Sequence, residues 1–348
     1  MKRRGLFAAA IAALTSTARA DAAELDRFEV ADRGSRFFAA DSLDLASPGQ
    51  KPRVATGVVS TYEHALRAFG TKQEGASTTL VSDQLALHAG GGVVMAPGVR
   101  FSLDMPFYFQ TGKQQALAGI QYAEPRSPVL GDLRIAFDMK LLGPPPGQRD
   151  GVTLAGGVWI WLPTGSPDDY VSDGYARVGL RIGASARTGH ILAAGRIGIA
   201  YRRDDVDPLG GVAMGSDVSG VAAVGWVEGA LTVGPELHAS TILRNDVFGS
   251  RATPIDGLLG AHFGVADFLV GAGVGTAIER GLGAPGFRGL LSFEWTPEAV
   301  SAPADRDRDG VADLEDVCPD VPGRADGPPE SRGCPDAPQE PPPPTPAE

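Results

Sequence analysis

Gly286–Trp295 reads GFRGLLSFEW. Phe287, Gly289, Leu291, Phe293 and Trp295 fall on one side of an extended chain, and Arg288, Leu290, Ser292 and Glu294 on the other. A period of two sends alternate side chains to opposite faces, so the stretch is a strand with one apolar face and one mainly polar face. It ends in an aromatic residue, and Thr296-Pro297 stops it. Beyond it the composition turns to Asp, Pro and Glu, whereas the chain upstream repeats the strand pattern. The stretch therefore reads as the closing strand of a β-barrel whose apolar outside meets a bilayer.

Twelve such segments run up to it: Val54–Leu66, Leu80–Met95, Val99–Gln110, Gly131–Leu142, Val152–Leu162, Tyr175–Arg187, His190–Arg202, Val218–Val227, Ala230–Arg244, Ile255–Gly264, Val265–Glu279 and Phe287–Trp295 itself. Val99–Gln110 is the clearest. Val99, Phe101, Leu103, Met105, Phe107 and Phe109 face one way, against Arg100, Ser102, Asp104, Tyr108 and Gln110. Alternation alone also fits a water-soluble sandwich, which buries its apolar face. The connections decide between the two. Short turns at Ala96-Pro97-Gly98, Thr188-Gly189, Glu228-Gly229 and around Gly264 alternate with longer loops, Gly143–Gly151 being a longish member of the short set. Outer-membrane barrels have short periplasmic turns and long external loops, and a sandwich has no reason to sort its loops this way.

The expected fold is thus all-β, an antiparallel transmembrane barrel of about twelve strands over residues 53–297. A Lys or Arg on the lipid face costs ~2–4 kcal/mol at the midplane, so the strand charges belong in the lumen. These are Arg100, Asp104, Arg134, Asp138, Lys140, Arg177, Arg181, Arg196, Glu236, Arg244 and Glu279. They either fill and rigidify a nearly closed interior or line a small pore. By the same alternation Leu103→Arg should block assembly, and Ser102→Arg should be accommodated.

The first 20 residues carry the three parts of a secretory signal: Lys2, Arg3 and Arg4, an apolar Leu6–Leu14, and the small-x-small site Ala18-Arg19-Ala20. Residues 21–52 follow as a periplasmic lead-in or a segment tucked inside the barrel. The formal net charge is −11, and from Ser301 onward twelve acidic residues face four basic ones. No basic face is available for nucleic acid. The partners expected are outer-membrane lipid and, through the C-terminal tail, envelope or periplasmic proteins. Of five histidines, His238 and His262 point inward and Glu236 shares the face of His238. A lumen hydrogen bond explains that pair, and an enzyme is not expected, because geometry rather than residue presence makes a catalytic triad.

Residues 298–336 hold the sharpest chemical signal. Asp305, Asp307 and Asp309 alternate before Gly310, with Val311, Asp313 and Asp316 beyond. Such a ladder can wrap one hard cation, with Gly permitting the sharp turn and the Val311 carbonyl supplying an oxygen. Cys318 and Cys334 enclose Pro- and Gly-rich chain without a core, and a disulfide is the natural reading for an exported segment. Residues 337–348 are a Pro-rich acidic end, expected to be disordered.

The Asp ladder followed by Cys318-Pro319 resembles a thrombospondin type 3 repeat over Asp305–Pro335, the calcium-binding spacer of OmpA-family proteins. Ala40–Leu45 (ADSLDL), Asp83–Gly90 (DQLALHAG), Val158–Gly165 (VWIWLPTG) and Leu258–His262 (LLGAH) resemble the barrels of myxobacterial members. The resemblance implies Ca²⁺ in the spacer and a structural, envelope-organising role with a small pore at most. The family's peptidoglycan-binding domain is expected to be absent, since nothing after Cys334 is long enough to fold as one. The alternative expectation is a channel or transporter for small solutes; a soluble β-sandwich adhesin is a third.

Overall fold

The computed structural model describes residues 24–45, 52–69, 77–95, 98–117, 120–144, 150–202, 215–244 and 247–297, with 307, 311, 316–324, 328 and 331–335 in the tail. Twelve antiparallel strands make the barrel: β1 (Arg53–Phe69), β2 (Ser77–Met95), β3 (Val99–Gly112), β4 (Leu133–Leu142), β5 (Gly151–Leu162), β6 (Arg177–Thr188), β7 (Ile191–Tyr201), β8 (Asp217–Glu228), β9 (Leu231–Ile242), β10 (Ile255–Val265), β11 (Phe268–Glu279) and β12 (Phe287–Trp295). Each pairs with its sequence neighbours, and β12 closes the ring on β1, with Trp295 opposite Thr56 and Phe287 opposite His64. Closure leaves no sheet edge, the condition for strands to cross a bilayer. Between β3 and β4, Gln115–Leu117 pairs with Ile120–Tyr122, and Val129–Leu130 adds to β3.

Burial is inverted relative to a soluble protein. On β3, Leu103 is 43% and Phe109 45% exposed, whereas Arg100 is 5% and Asp104 6%. The same alternation runs through β6, β8, β9 and β12. Outward aromatics gather near the strand ends. Trp226, Phe263, Phe268 and Trp295 lie toward the short turns, where Phe268 stacks on Phe293 at 5.1 Å. Phe287 and Tyr201 lie toward the long loops. Eight steps of β12 separate Phe287 from Trp295, about 26 Å along the strand and ~20 Å along the normal at a barrel tilt, close to the height of an apolar band with its girdles.

Two expectations change. The turn placed around Gly264 is Ala266-Asp267, with Ala266 at φ 49°, so β11 begins at Phe268 rather than Val265. Ser102 is not free lumen wall. It is buried, and its hydroxyl donates to Asp32 at 2.7 Å, which leaves no room for an arginine.

The chain from Glu298 onward forms a separate unit. Within it Cys318 and Cys334 are joined by a disulfide. Backbone bonds from Val317 to Arg332 (3.0 Å) and from Gly333 to Arg324 (3.0 Å) hold the two arms of the disulfide loop together.

Candidate functional site in the barrel lumen

Residues 24–45 occupy the lumen. They have no regular secondary structure, so the wall must satisfy their backbone and charges. At the long-loop mouth, Leu25 N–H donates to the Tyr170 carbonyl at 3.1 Å, and Glu24 pairs with Arg177 at 2.6 Å. Toward the short turns, Gly34 N–H donates to Glu294 at 2.6 Å and Arg36 donates to the Ala230 carbonyl at 3.1 Å. The segment therefore crosses the barrel, and then turns back, with Ala31 N–H donating to the Phe38 carbonyl at 2.7 Å.

Charge holds it there. On the wall, Asp138 accepts from Arg100 Nε at 3.0 Å and from Arg181 Nε at 2.7 Å. One carboxylate cannot balance two guanidinium groups, and the segment supplies others. Asp32 lies 2.9 Å from Arg100 and 2.8 Å from Arg181, and Asp41 also accepts from Arg100. Arg33 reaches Asp104 at 2.6 Å and the His88 carbonyl at 2.7 Å. Asp26 lies 3.0 Å from Arg288, which also pairs with Glu63. Removing one partner from a buried pair strands a charge at a cost of about 3–5 kcal/mol, so these pairs lock segment and wall into one arrangement.

Glu236 provides an uncharged-partner anchor. Its carboxylate accepts the backbone N–H groups of Phe38, Ala39 and Ala40 at 2.7, 2.8 and 3.1 Å. Beside it the wall is hollowed for aromatic rings. A Cβ at Gly260 or Gly273 would meet the Phe38 ring at 3.0 and 2.9 Å, and one at Gly225 would meet Phe37 at 3.0 Å. His262 lies against Phe38 at 4.4 Å and His238 against Phe28 at 5.5 Å, so both histidines are used in packing.

The structure places Arg100, Asp104, Arg134, Asp138, Arg177, Arg181, Arg196 and Glu236 buried inside the barrel. Three residues read as lumen charges sit elsewhere in depth. Lys140 is half-buried at the short-turn rim, its stem over Gly98. Arg244 lies two residues past β9 and Glu279 is the last residue of β11, both half-buried at the long-loop mouth. Parity assigns a face, and the shortness of the strand decides whether that face is still lumen. Strand alternation puts Arg202 on the polar face with Arg196, and it pairs with Asp217; the segment's own charges and Glu63, Asp217 and Asp256, which join the same buried pairing, carry no such signal. Among the described residues the remaining space includes a cavity of about 40 Å³ between Glu24, Glu29, Arg134 and Arg177 and one of about 20 Å³ beside Arg33, Asp41 and Arg100, each with room for a few water molecules.

Of the tail residues read as metal ligands, Asp305, Asp309 and Asp313 lie outside the described residues. Asp316 is described: its Oδ1 accepts the Cys318 N–H at 2.7 Å, and its Oδ2 is buried without a hydrogen-bond donor. Asp307 and Val311 are described too, and no three metal-binding side chains converge among the described residues.

No family model matches the sequence, and no curated protein matches it. Solved structures do match in fold. An outer membrane channel from Pseudomonas putida F1 aligns at a TM-score of 0.52 and 14% identity, over 72% of this chain and 97% of that one. The NanC porin aligns at 0.43 and 11%, over 70% and 99%. The Pseudomonas putida toluene transporter TodX aligns at 0.38 and 10%, over 78% and 98%. The chain has the closed antiparallel twelve-strand barrel of outer-membrane proteins.

Proposed function

We propose that the protein is an outer-membrane channel for small solutes, held closed in this conformation by residues 24–45. The observation that carries this reading is the origin of the filling. A barrel meant to be solid fills its interior with its own wall side chains. Here the wall is cut back to glycine at 225, 260 and 273, and a separate piece of chain takes the space. A separate piece can leave without breaking any strand pair. The fold shared with an outer membrane channel supports the channel over the structural, envelope-organising role. Single-channel recording of the purified full-length protein in planar bilayers tests it. Rare, small openings are expected from the wild type and longer ones from Glu236→Ala, which removes the backbone anchor. Folded Glu236→Ala with no openings would sink the proposal.

The tail supports a second part of the reading: an OmpA-type spacer that binds Ca²⁺ and lies in the periplasm, where it can meet envelope proteins. Asp316 Oδ2 is a buried carboxylate oxygen without a donor, a group that a hard cation satisfies. Asp305, Asp307, Asp309, Asp313 and the Val311 carbonyl would complete the oxygen set, and the disulfide holds Cys318, two residues past Asp316, against Cys334.

A further inference from the structure

The charges of the wall are sorted by side. Strands β3–β7 turn inward Arg100, Arg134, Arg177, Arg181 and Arg196, against two strand carboxylates, Asp104 and Asp138. The arc from β8 through β12 to β1 turns inward Asp217, Glu236, Asp256, Glu294 and Glu63, against Arg288. A field therefore crosses the lumen, and it drives a carboxylate toward the arginine arc.

Three guanidinium groups of the arc are held in place without the segment. Arg177 lies over Trp161 at 4.8 Å, and Arg181 and Arg196 lie over Trp159 at 4.5 and 4.4 Å. Both tryptophans are buried on β5. Stacking fixes the plane of a guanidinium while its N–H edge stays available for a planar carboxylate. Four carboxylates of the segment use that edge: Glu24 on Arg177, Asp32 on Arg100 and Arg181, Asp41 on Arg100, and Glu29 near Arg134 and Arg196. The last contact is poor. Glu29 stands 3.8 Å from Arg134 and 4.0 Å from Arg196. The Arg196 side chain is 3% exposed, and its Nε and Nη2 have no hydrogen-bond acceptor.

We infer that the arginine arc of β3–β7 is a binding track for carboxylate-bearing solutes, and that Glu24, Glu29, Asp32 and Asp41 stand on it in their place. The inference rests on the channel reading and names its substrate class. The solute's carboxylate takes the Arg134–Arg196 position with the bidentate geometry that Glu29 lacks. Detachment of the segment and binding of the solute then become one exchange of carboxylates at the same arginines.

The test is current block in planar bilayers by citrate, a small polycarboxylate, on the full-length Glu236→Ala channel. Phe38→Ala, which empties the Gly260–Gly273 slot, serves as a second opening variant. Concentration-dependent blocks are expected from citrate, with spermidine at equal ionic strength giving none. Adding Arg134→Gln and Arg196→Gln should raise the half-blocking concentration at least roughly tenfold, since losing even one charge-assisted hydrogen bond is worth about that much. A half-blocking concentration unmoved by the two substitutions, or equal block by spermidine, overturns the track and leaves the channel standing. Two folded opening variants that never conduct overturn both.

Discussion

Glu236→Ala separates the anchor of the inner segment from the barrel around it. Glu236 is 1% exposed, and its two oxygens take three backbone N–H groups in a row, those of Phe38, Ala39 and Ala40. Alanine offers no acceptor, and no solvent reaches the site. At about 1 kcal/mol net for each bond, a low figure for a charged acceptor, the segment loses ~3 kcal/mol of its hold on the wall. That is on the order of a hundredfold in the equilibrium between docked and released. The β9 ladder is unaffected, because Glu236 pairs with Ala223 and Leu258 through its backbone. Amide hydrogen exchange by mass spectrometry on detergent-solubilised protein reads both parts. Peptides covering residues 36–42 should exchange on the order of a hundredfold faster, with β9 and β10 peptides unchanged. Unchanged protection at 36–42 in a variant that keeps its folded gel mobility would refute the anchor. Faster exchange throughout would show that segment and barrel open as one unit.

Leu103→Arg puts a charge on the outer face and should cost ~2–4 kcal/mol, seen as loss of the fast-migrating folded band in unboiled gels, whereas Leu103→Ile should keep it. At the loop clip between Arg126 and Asp169, burial pushes the Asp169 carboxyl up, and hydrogen bonds from Arg126 more than offset this, so it sits below the usual range. A depressed carboxylate stabilises above its unfolded value of about 4 and stops doing so as pH falls through its folded one; exchange at 122–127 should therefore stay slow at pH 5, quicken below about 4, and be quick at neutral pH in Arg126→Gln. Calorimetry on the full-length protein should show one Ca²⁺ bound with a Kd on the order of 10⁻⁴–10⁻³ M, weakened by Asp309→Ala and by reduction of the disulfide; no heat at millimolar Ca²⁺ would make the tail an acidic linker.

The ring of strands was legible because a membrane barrel writes its geometry in period two. Phe287 to Trp295 and Val99 to Phe109 alternate so strictly that face follows from parity alone. The loops were legible because one end of the barrel carries the long ones, the connection 143–150 at the other end excepted. Depth is not legible, because parity is the same at the rim as at the centre; hence parity alone puts Lys140, Arg244 and Glu279 in the lumen. The turn after β10 was misplaced because Ala266 adopts the left-handed conformation that Gly264, two residues earlier, is chemically better suited to take.

The contents of the lumen were the hardest to read, for a physical reason. Residues 24–45 have no period because no regular ladder forms in them; their conformation is set one contact at a time by a wall drawn from distant sequence. Yet the wall records the segment in negative. Gly271, Gly273 and Gly275 look like weak strand formers on their own, but they hollow the inward face of β11: the space at Gly273 takes the Phe38 ring, and that at Gly271 and Gly275 takes His262 and Leu258 of the wall. Gly260 on β10 and Gly225 on β8 extend the hollow to nearby strands. A dry hollow beside buried His262 and Glu236 is unstable, since it leaves a carboxylate without donors. Something must bring both apolar bulk and backbone N–H groups to it. Phe37-Phe38-Ala39-Ala40, two rings followed by residues too small to block their own amides, is the stretch that does so. Inward glycines on nearby strands, together with an aromatic pair in an unpatterned segment, thus mark an occupied barrel.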